Sequence, residues 1–429
     1  MKKLATLLLA AGMVVASTAP ANAVDVKVDA RFRTSFALGG QFNDTNYESA
    51  IHRLRLGLTM AASENLSAYT QFQFGGYEWG TTDKHGKAAS SNGDKITARM
   101  LYLDWTVPGT PVKVRMGRHQ FGLPEEAFGG NSILGAGYGN REGIVVTAPV
   151  ADWLGLTAMW ARIGSDGGND TDIANNTDLF ALAANLKFEG VSGAVYAAYA
   201  AHDEYVEAPK MCYGMPNVEG DAYWAGFTST FSFFDPFTLK VSAAYGEFNA
   251  ADKGNKNENG WNVQVKGSYA LPFGTASLGG WYFSGADEDG KGNMPNSGYF
   301  AGTYHTFDGF ANLNNTLGKT TISGQWAIQA ALEDVSFLEG LTHGFQVTYM
   351  QGTNDKDAEE PGSFASATPW LSEDDSLVEL SMVNTYKIYK NLAAHLELAY
   401  IINDFDNKGP NAALDEDDWY AGLTFDFKF

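Results

Sequence analysis

Along most of this chain, apolar and polar residues alternate in segments of about nine to eleven residues, the period of strands whose two faces meet different surroundings. The first such segment sets Val26, Val28, Ala30, Phe32, Thr34, Phe36 and Leu38 against Lys27, Asp29, Arg31, Arg33 and Ser35. The next sets Leu54, Leu56, Leu58 and Met60 against Arg53, Arg55, Gly57 and Thr59, and Leu66, Ala68, Thr70, Phe72 and Phe74 then oppose Ser67, Tyr69, Gln71 and Gln73. Later segments keep the rule, with Trp261, Val263, Val265 and Tyr269 against Asn262, Gln264, Lys266 and Ser268. Short connections such as Ala61 to Asn65, Val107 to Pro111, Ser232 to Pro236 and Phe337 to Gly340 carry Gly, Pro, Asn or Asp, as tight turns require. Long polar connections near 75–95, 163–178, 201–221, 247–260, 285–322, 351–375 and 403–417 alternate with them. Counting between the connections predicts eighteen strands in nine hairpins, which brings both termini to one end.

One stretch departs from the pattern. Val112 to Ile133 begins as a strand, with Val114 and Met116 on one face and Lys113, Arg115 and Gly117 on the other, and the alternation fails after Gly117. Arg118, His119, Pro124, the adjacent carboxylates Glu125 and Glu126 and a Gly-rich tail follow, which predicts a long loop. Apolar residues outside, cations inside and an acidic loop between them predict a wall around a polar interior, with a flap that folds into it.

Composition decides what the outer face meets. Residues Met1 to Ala23 have Lys2 and Lys3, an apolar run from Leu4 to Ala16 and an Ala21-Asn22-Ala23 end, the three parts of a cleaved signal peptide. Residues 24–429 then form a single domain outside the cytoplasm. Removing Lys2 and Lys3 takes the 29 basic residues to 27 against 50 acidic ones, a net charge of −23. That balance excludes a basic nucleic-acid surface. The lone Cys212 offers neither a disulfide framework nor a cysteine metal site. No apolar run after residue 23 is long enough for a spanning helix, yet 13% of the chain is aromatic. A transmembrane all-β barrel satisfies both facts, because in lipid every backbone N–H and C=O needs a partner inside the protein, and only a closed sheet lacks edges. A β-sandwich or β-helix would share the alternation but leave unexplained the short and long connections in turn, and the aromatic residues at strand ends such as Phe36, Phe74, Trp105, Tyr269 and Tyr400.

The last strand is the most specific signal. Asp418 to Phe429 sets Trp419, Ala421, Leu423, Phe425, Phe427 and Phe429 against Tyr420, Gly422, Thr424, Asp426 and Lys428, and the chain ends on Phe429. A signal peptide, alternating strands, an aromatic C-terminal residue and Gly117-Arg118-His119-Gln120 leading into a long third loop resemble the trimeric porin family of Gram-negative outer membranes. The chain is most similar to the homotrimeric porins of sulfate-reducing bacteria. Familiar general porins have sixteen strands where eighteen are counted here, so sixteen is the alternative.

That resemblance implies long extracellular loops, short periplasmic turns, a third loop folded into the lumen and passive diffusion of small hydrophilic solutes and ions. It implies a constriction in which Glu125 and Glu126 face Arg31, Arg33, Arg53 and Arg55, flanked by Lys113, Arg115 and Arg118. Opposed charges across a narrow aqueous gap orient dipolar solutes and disfavour apolar ones. The alternative is a substrate-specific channel, for sugars or organic anions, which would need a lumenal aromatic track; Tyr69, Tyr102 and Tyr420 face inward without evidently forming one. The resemblance also implies a homotrimer, with the loop Gly75 to Lys95 as a candidate latch, lipopolysaccharide around it, and recognition of the Phe429 strand by the barrel-assembly machinery.

Acidic clusters in the predicted outer loops offer hard oxygens, and Asp287, Asp289, Glu373 and Asp375 are candidate Ca2+ ligands for bridging to lipopolysaccharide. No other cofactor is expected. Gly135 to Gly139 lacks the βαβ setting of a dinucleotide loop. The seven histidines form no HExxH, and no Ser/His/Asp set stands out, so the sequence gives no support to an enzyme. A structural barrel without a pore is the remaining rival.

Overall fold

The computed structural model describes residues 24–40, 46–79, 96–133, 140–165, 176–202, 219–251, 258–289, 291–295, 324–358, 371–406 and 416–429. These residues form eighteen strands. The first six are β1 (Asp25–Gly40), β2 (Asn46–Ser63), β3 (Leu66–Glu78), β4 (Ile96–Thr106), β5 (Lys113–His119) and β6 (Arg141–Ala151). Next come β7 (Leu154–Ser165), β8 (Asn176–Phe188), β9 (Val191–His202), β10 (Gly220–Phe234), β11 (Phe237–Ala250) and β12 (Glu258–Leu271). The last are β13 (Gly274–Phe283), β14 (Gln325–Leu338), β15 (Leu341–Gly352), β16 (Ser376–Tyr389), β17 (Leu392–Asp404) and β18 (Asp418–Lys428). Residues 1–23, Cys212, Gly135–Gly139 and most of the candidate latch lie outside the described residues.

Each strand pairs antiparallel with its sequence neighbours, and β1 pairs with β18, so the sheet closes as a barrel of eighteen strands and not sixteen. The seam is complete to the last residue: Ala30 N donates to Phe429 O at 2.9 Å, and Phe429 N returns a bond to Ala30 O at 3.0 Å. Among the described residues no helix is long and apolar enough to cross a membrane, and the strands leave no open edge.

The outer face carries an apolar band between two aromatic rings. At the long-loop end Phe180, Tyr223, Tyr245, Trp261, Tyr282, Tyr400 and Trp419 are exposed, and at the short-turn end Trp153, Phe188, Phe237, Tyr269, Phe273 and Phe337 are exposed. Between them lie Leu182, Val195, Leu278, Ile328, Val347 and Leu380. On β8, Phe180 and Phe188 stand eight residues apart, which at about 3.3 Å per residue and a tilt of roughly 40° separates the rings by about 20 Å along the barrel axis. That spacing suits the hydrocarbon of a thin bilayer, and the amphipathic rings sit where an interface would be.

Inside, the wall is not uniformly polar. On β7 to β11 a block of inward positions is small or apolar, namely Ala161, Leu179, Ala181, Ala183, Ala198, Ala200, Ala222, Trp224 and Phe248, and all are buried. They form a core with Phe121, Leu123 and Ile133 of the loop between β5 and β6, which therefore folds into the lumen and rests on that wall. Burying this apolar surface holds the loop down at roughly 25 cal/mol for each Å² removed from water.

Candidate functional site

The inward loop is built by one backbone device and one polar anchor. Gly117 on β5 has φ +121°, and a Cβ there would clash with Leu101 O, so only glycine passes β4 this closely. β5 continues through His119 before the chain leaves the wall. The loop then crosses to the far side of the barrel, where Ala127 N donates to Ser242 Oγ of β11 at 3.0 Å and Phe128 meets Trp281 of β13 edge-on at 4.9 Å. Gly279 of β13 makes room for it, since a Cβ there would lie 2.8 Å from the Phe128 ring.

Glu126 is the anchor, and its placement corrects the expectation. Its carboxylate is 1% exposed and turned into the wall, away from the arginines. It accepts hydrogen bonds from Ser132 Oγ at 2.7 Å, Ser132 N at 3.1 Å, Tyr196 Oη of β9 at 2.9 Å and Gln264 Nε2 of β12 at 2.5 Å. Burial pushes the carboxyl above its usual range, while these donors pull it back. Glu125, its neighbour, is exposed on the same inward loop. Of the two expected carboxylates, Glu125 is thus exposed and Glu126 is buried.

The arginines of β1 and β2 stand side by side. Along one ladder row Lys428, Arg31 and Arg55 are successive cross-strand neighbours on β18, β1 and β2, and along another Asp426, Arg33 and Arg53 are. Five cations thus share two adjacent rows with one carboxylate. Asp426 is buried and takes Arg31 through both oxygens, at 2.8 and 3.0 Å, with Arg33 Nε at 3.3 Å and Lys428 Nζ at 3.2 Å. Arg55 donates to Gln73 at 3.0 Å on β3, and Arg99 of β4, which sequence reasoning missed, donates to Gln71 at 2.8 Å. Arg115 faces inward on β5, bidentate to Asp104 at 2.7 and 2.8 Å and 4.2 Å above the Tyr102 ring. Lys113 is exposed on the same face.

Arg118 does not belong to this group, a second correction. It pairs across β4 with Leu101, which faces outward, and its guanidinium holds Glu142 of β6 on the outer surface at the long-loop end. An arginine there costs about 0–1 kcal/mol, against roughly 2–4 at mid-membrane. Arg162 and Asp178 form a similar outer pair at 2.9 Å. Other acids sit on the same outer rim under tyrosines, Asp221 beneath Tyr199 at 2.6 Å and Asp417 beneath Tyr400 at 2.8 Å. These acids thus lie on the outer rim, while the arginine rows of β1 and β2 lie on the inner face.

The three inward tyrosines divide. Tyr420 is buried and donates to Glu397 at 3.3 Å, whereas Tyr69 and Tyr102 stand 5.3 Å apart on the half-exposed wall. Their row continues to His119 at 5.9 Å and on to Phe121 at 4.0 Å. A cavity of about 470 Å³ opens beside it, lined by Asp104, Lys113, Arg115, His119, Gln120 and Phe121.

The expected calcium ligands are not brought together. Asp375 is buried and accepts from Ser372 N, Ser372 Oγ and Asp406 N, and Asp289 pairs with Lys291 at 3.6 Å. Among the described residues the carboxylate oxygens that converge, within 4.8 Å, belong to Glu288, Asp355 and Asp357. Asp287 lies beside them in sequence and accepts from Lys291 N at 2.7 Å, while Glu373 is exposed.

No family model matches the chain, and no curated protein does either. Solved structures do. OccAB4 of Acinetobacter baumannii superposes with a TM-score of 0.59 over 96% of this chain and 100% of its own, at 10% identity. OccK8 (OprE) of Pseudomonas aeruginosa gives 0.59 over 94% and 98%, at 14% identity, and OpdK of the same organism, solved with vanillate, gives 0.57 over 94% and 98%, at 10% identity. None of the three supplies the likeness to porins of sulfate-reducing bacteria drawn from the sequence. At such identities the likeness is one of fold, and the chain shares the closed eighteen-stranded barrel of these proteins along nearly its whole length.

Proposed function

We propose that this chain is a passive channel of a Gram-negative outer membrane that favours small hydrophilic anions, organic carboxylates foremost. It performs no chemical step and uses no energy. The single observation carrying the reading is the pair of adjacent rows with five cations and one carboxylate, facing a lumen whose other expected carboxylate, Glu126, is buried in the wall. Arg guanidinium groups match carboxylates in shape and charge, and a low-dielectric wall concentrates the field of such a row in the water beside it. Asp426 is shared by Arg31, the buried Arg33 and Lys428, so within these two rows cations outnumber carboxylates. The fold's likeness to OpdK, solved with vanillate, itself a carboxylate, agrees with this choice.

In this reading the long loops face outside and the short turns face the periplasm, residues 1–23 are removed, and three copies assemble among lipopolysaccharide after the assembly machinery has read the Phe429 strand. The rival is a non-selective porin, favoured by the exposed carboxylate of the inward loop, Glu125, which would set a transverse field across the lumen. Proteoliposome uptake separates the two. A small carboxylate such as benzoate entering several-fold faster than a neutral sugar of similar mass supports selection; equal rates establish the non-selective pore.

A further inference from the structure

The opposite side of the barrel carries cations that the arginine rows do not account for. One ladder row runs across five strands as Lys187 of β8, Ser192 of β9, Thr230 of β10, Lys240 of β11 and Lys266 of β12. All five point inward, because their neighbours Phe188, Phe231, Leu239, Val265 and Phe237 belong to the outer face by alternation. The row contains three ammonium groups, two hydroxyls and no carboxylate.

Lys240 and Lys266 are directly opposed, so their Cβ atoms stand about 5 Å apart, a placement that like charges disfavour. Lys266 has a partner, Glu333 of β14 at 3.3 Å, and lies 5.8 Å from the centre of the Phe128 ring at the far reach of the inward loop. Lys240 is exposed and makes no ion pair among the described residues. On the short-turn side of the pair the neighbours are Thr238 and Ser268, both with hydroxyl donors, while Gly279 beyond Lys266 is covered by the Phe128 ring.

Two cations held side by side, one of them without an ion pair among the described residues, with hydroxyls in the same row and the adjoining one, are the parts of an oxyanion site. The geometry points to a second anion-binding station at Lys240 and Lys266, on the short-turn side of the inward loop and across the lumen from the arginine rows. It rests on the reading of the barrel as an anion channel. Its ligand is a small oxyanion, a carboxylate or phosphate group, bound by Lys240 and Lys266 with Thr230 as hydroxyl donor. Lys187, three strands from Lys240, extends the row toward the short-turn rim and draws anions along it. A solute released by the arginines thus meets a second cationic surface before it leaves the barrel.

The test is single-channel block of chloride current by inorganic phosphate, added to each side in turn, in the purified full barrel. Wild type, Lys240→Gln with Lys266→Gln, and Arg31→Gln with Arg55→Gln are compared, and heat-resistant migration in detergent gels verifies that each has folded. Phosphate blocks the wild type more strongly from one side, the double lysine variant needs several-fold more phosphate for the same block, and the arginine variant keeps that sided block. Unchanged block in the lysine variant, or none in the wild type, overturns the station. A wild-type current carried by cations would instead overturn the parent reading, whatever phosphate does, and the two failures are read from separate measurements. As a charge reversal, Lys240→Glu places a carboxylate beside Lys266; it abolishes the sided block if the station exists.

Discussion

The Glu126 carboxylate of the inward loop sits 2.9 Å from the Tyr196 hydroxyl of β9, 70 residues away in sequence, and the bond ties the constriction to the far wall. Glu126→Ala leaves the donors of Tyr196, Ser132 and Gln264 without their acceptor, at about 1–3 kcal/mol for each one that water does not reach. The expected outcome is a larger and noisier open-channel current, with a lower temperature for loss of the heat-resistant gel form. Quiet, wild-type current in this variant would show that the apolar contacts of Phe121, Leu123 and Ile133 suffice.

Acid should tighten the same anchor. Folding raises the Glu126 carboxyl, chiefly through burial, so its contribution is complete below the unfolded value and is lost as pH rises through the folded one. Open-channel noise is therefore expected to fall as the solution is taken from neutral into the acid range. Glu126→Gln, fixed in a neutral state, removes that dependence, and noise recorded against pH in the two proteins checks it.

Changing the arginine rows should alter selectivity without altering the fold. Arg55→Gln removes one of five cations from the wall and is expected to lower the anion-to-cation permeability ratio several-fold. Asp426→Asn raises that ratio while loosening Arg31 and Arg33, which both hold Asp426. Reversal potentials of the two variants, moving in opposite directions, are the measurement.

Gly117→Ala tests the start of the loop. A side chain at φ +121° that also meets Leu101 O costs on the order of 1–3 kcal/mol, so the variant should unfold earlier on heating than the wild type. An alanine variant with unaltered thermal behaviour would mean that β4 and β5 part without strain.

Much of the barrel could be read from alternation, and the exceptions have physical causes. Short turns and long loops gave eighteen strands, and a period-2 pattern puts Arg31, Arg33, Arg53, Arg55, Lys113 and Arg115 on one face of them. Arg118 went astray because β5 was ended at Gly117; two more extended residues turn its side chain outward to Glu142. Glu125 and Glu126 lie in an irregular loop where no period says which one meets the wall. The wall beneath the loop was written in β8 and β9, whose sequences LFALAANL and GAVYAAYAA are apolar on both faces. Such a strand needs cover on its inner side, and that signal would have located the loop. Arg99 sits where the register shifts between β3 and β4, so its parity was not legible. Lys187, Lys240 and Lys266 were single polar positions on separate strands, and only the register joins them.

The seam makes its own prediction. Phe429 completes the last pair of backbone bonds to Ala30 and lies tilted beside Phe427, ring centres 5.7 Å apart. Deleting it is expected to lower the amount of barrel recovered in outer-membrane fractions, while the small part that assembles conducts normally. Full recovery without Phe429 would free the terminal residue from any part in assembly.

The central claim is that the lumen is cationic although the chain as a whole is strongly acidic. The reversal potential of the purified protein in a planar bilayer under a potassium chloride gradient tests this most directly. The sign expected is that of chloride moving more readily than potassium; a potential of the opposite sign, with potassium the faster ion, contradicts it.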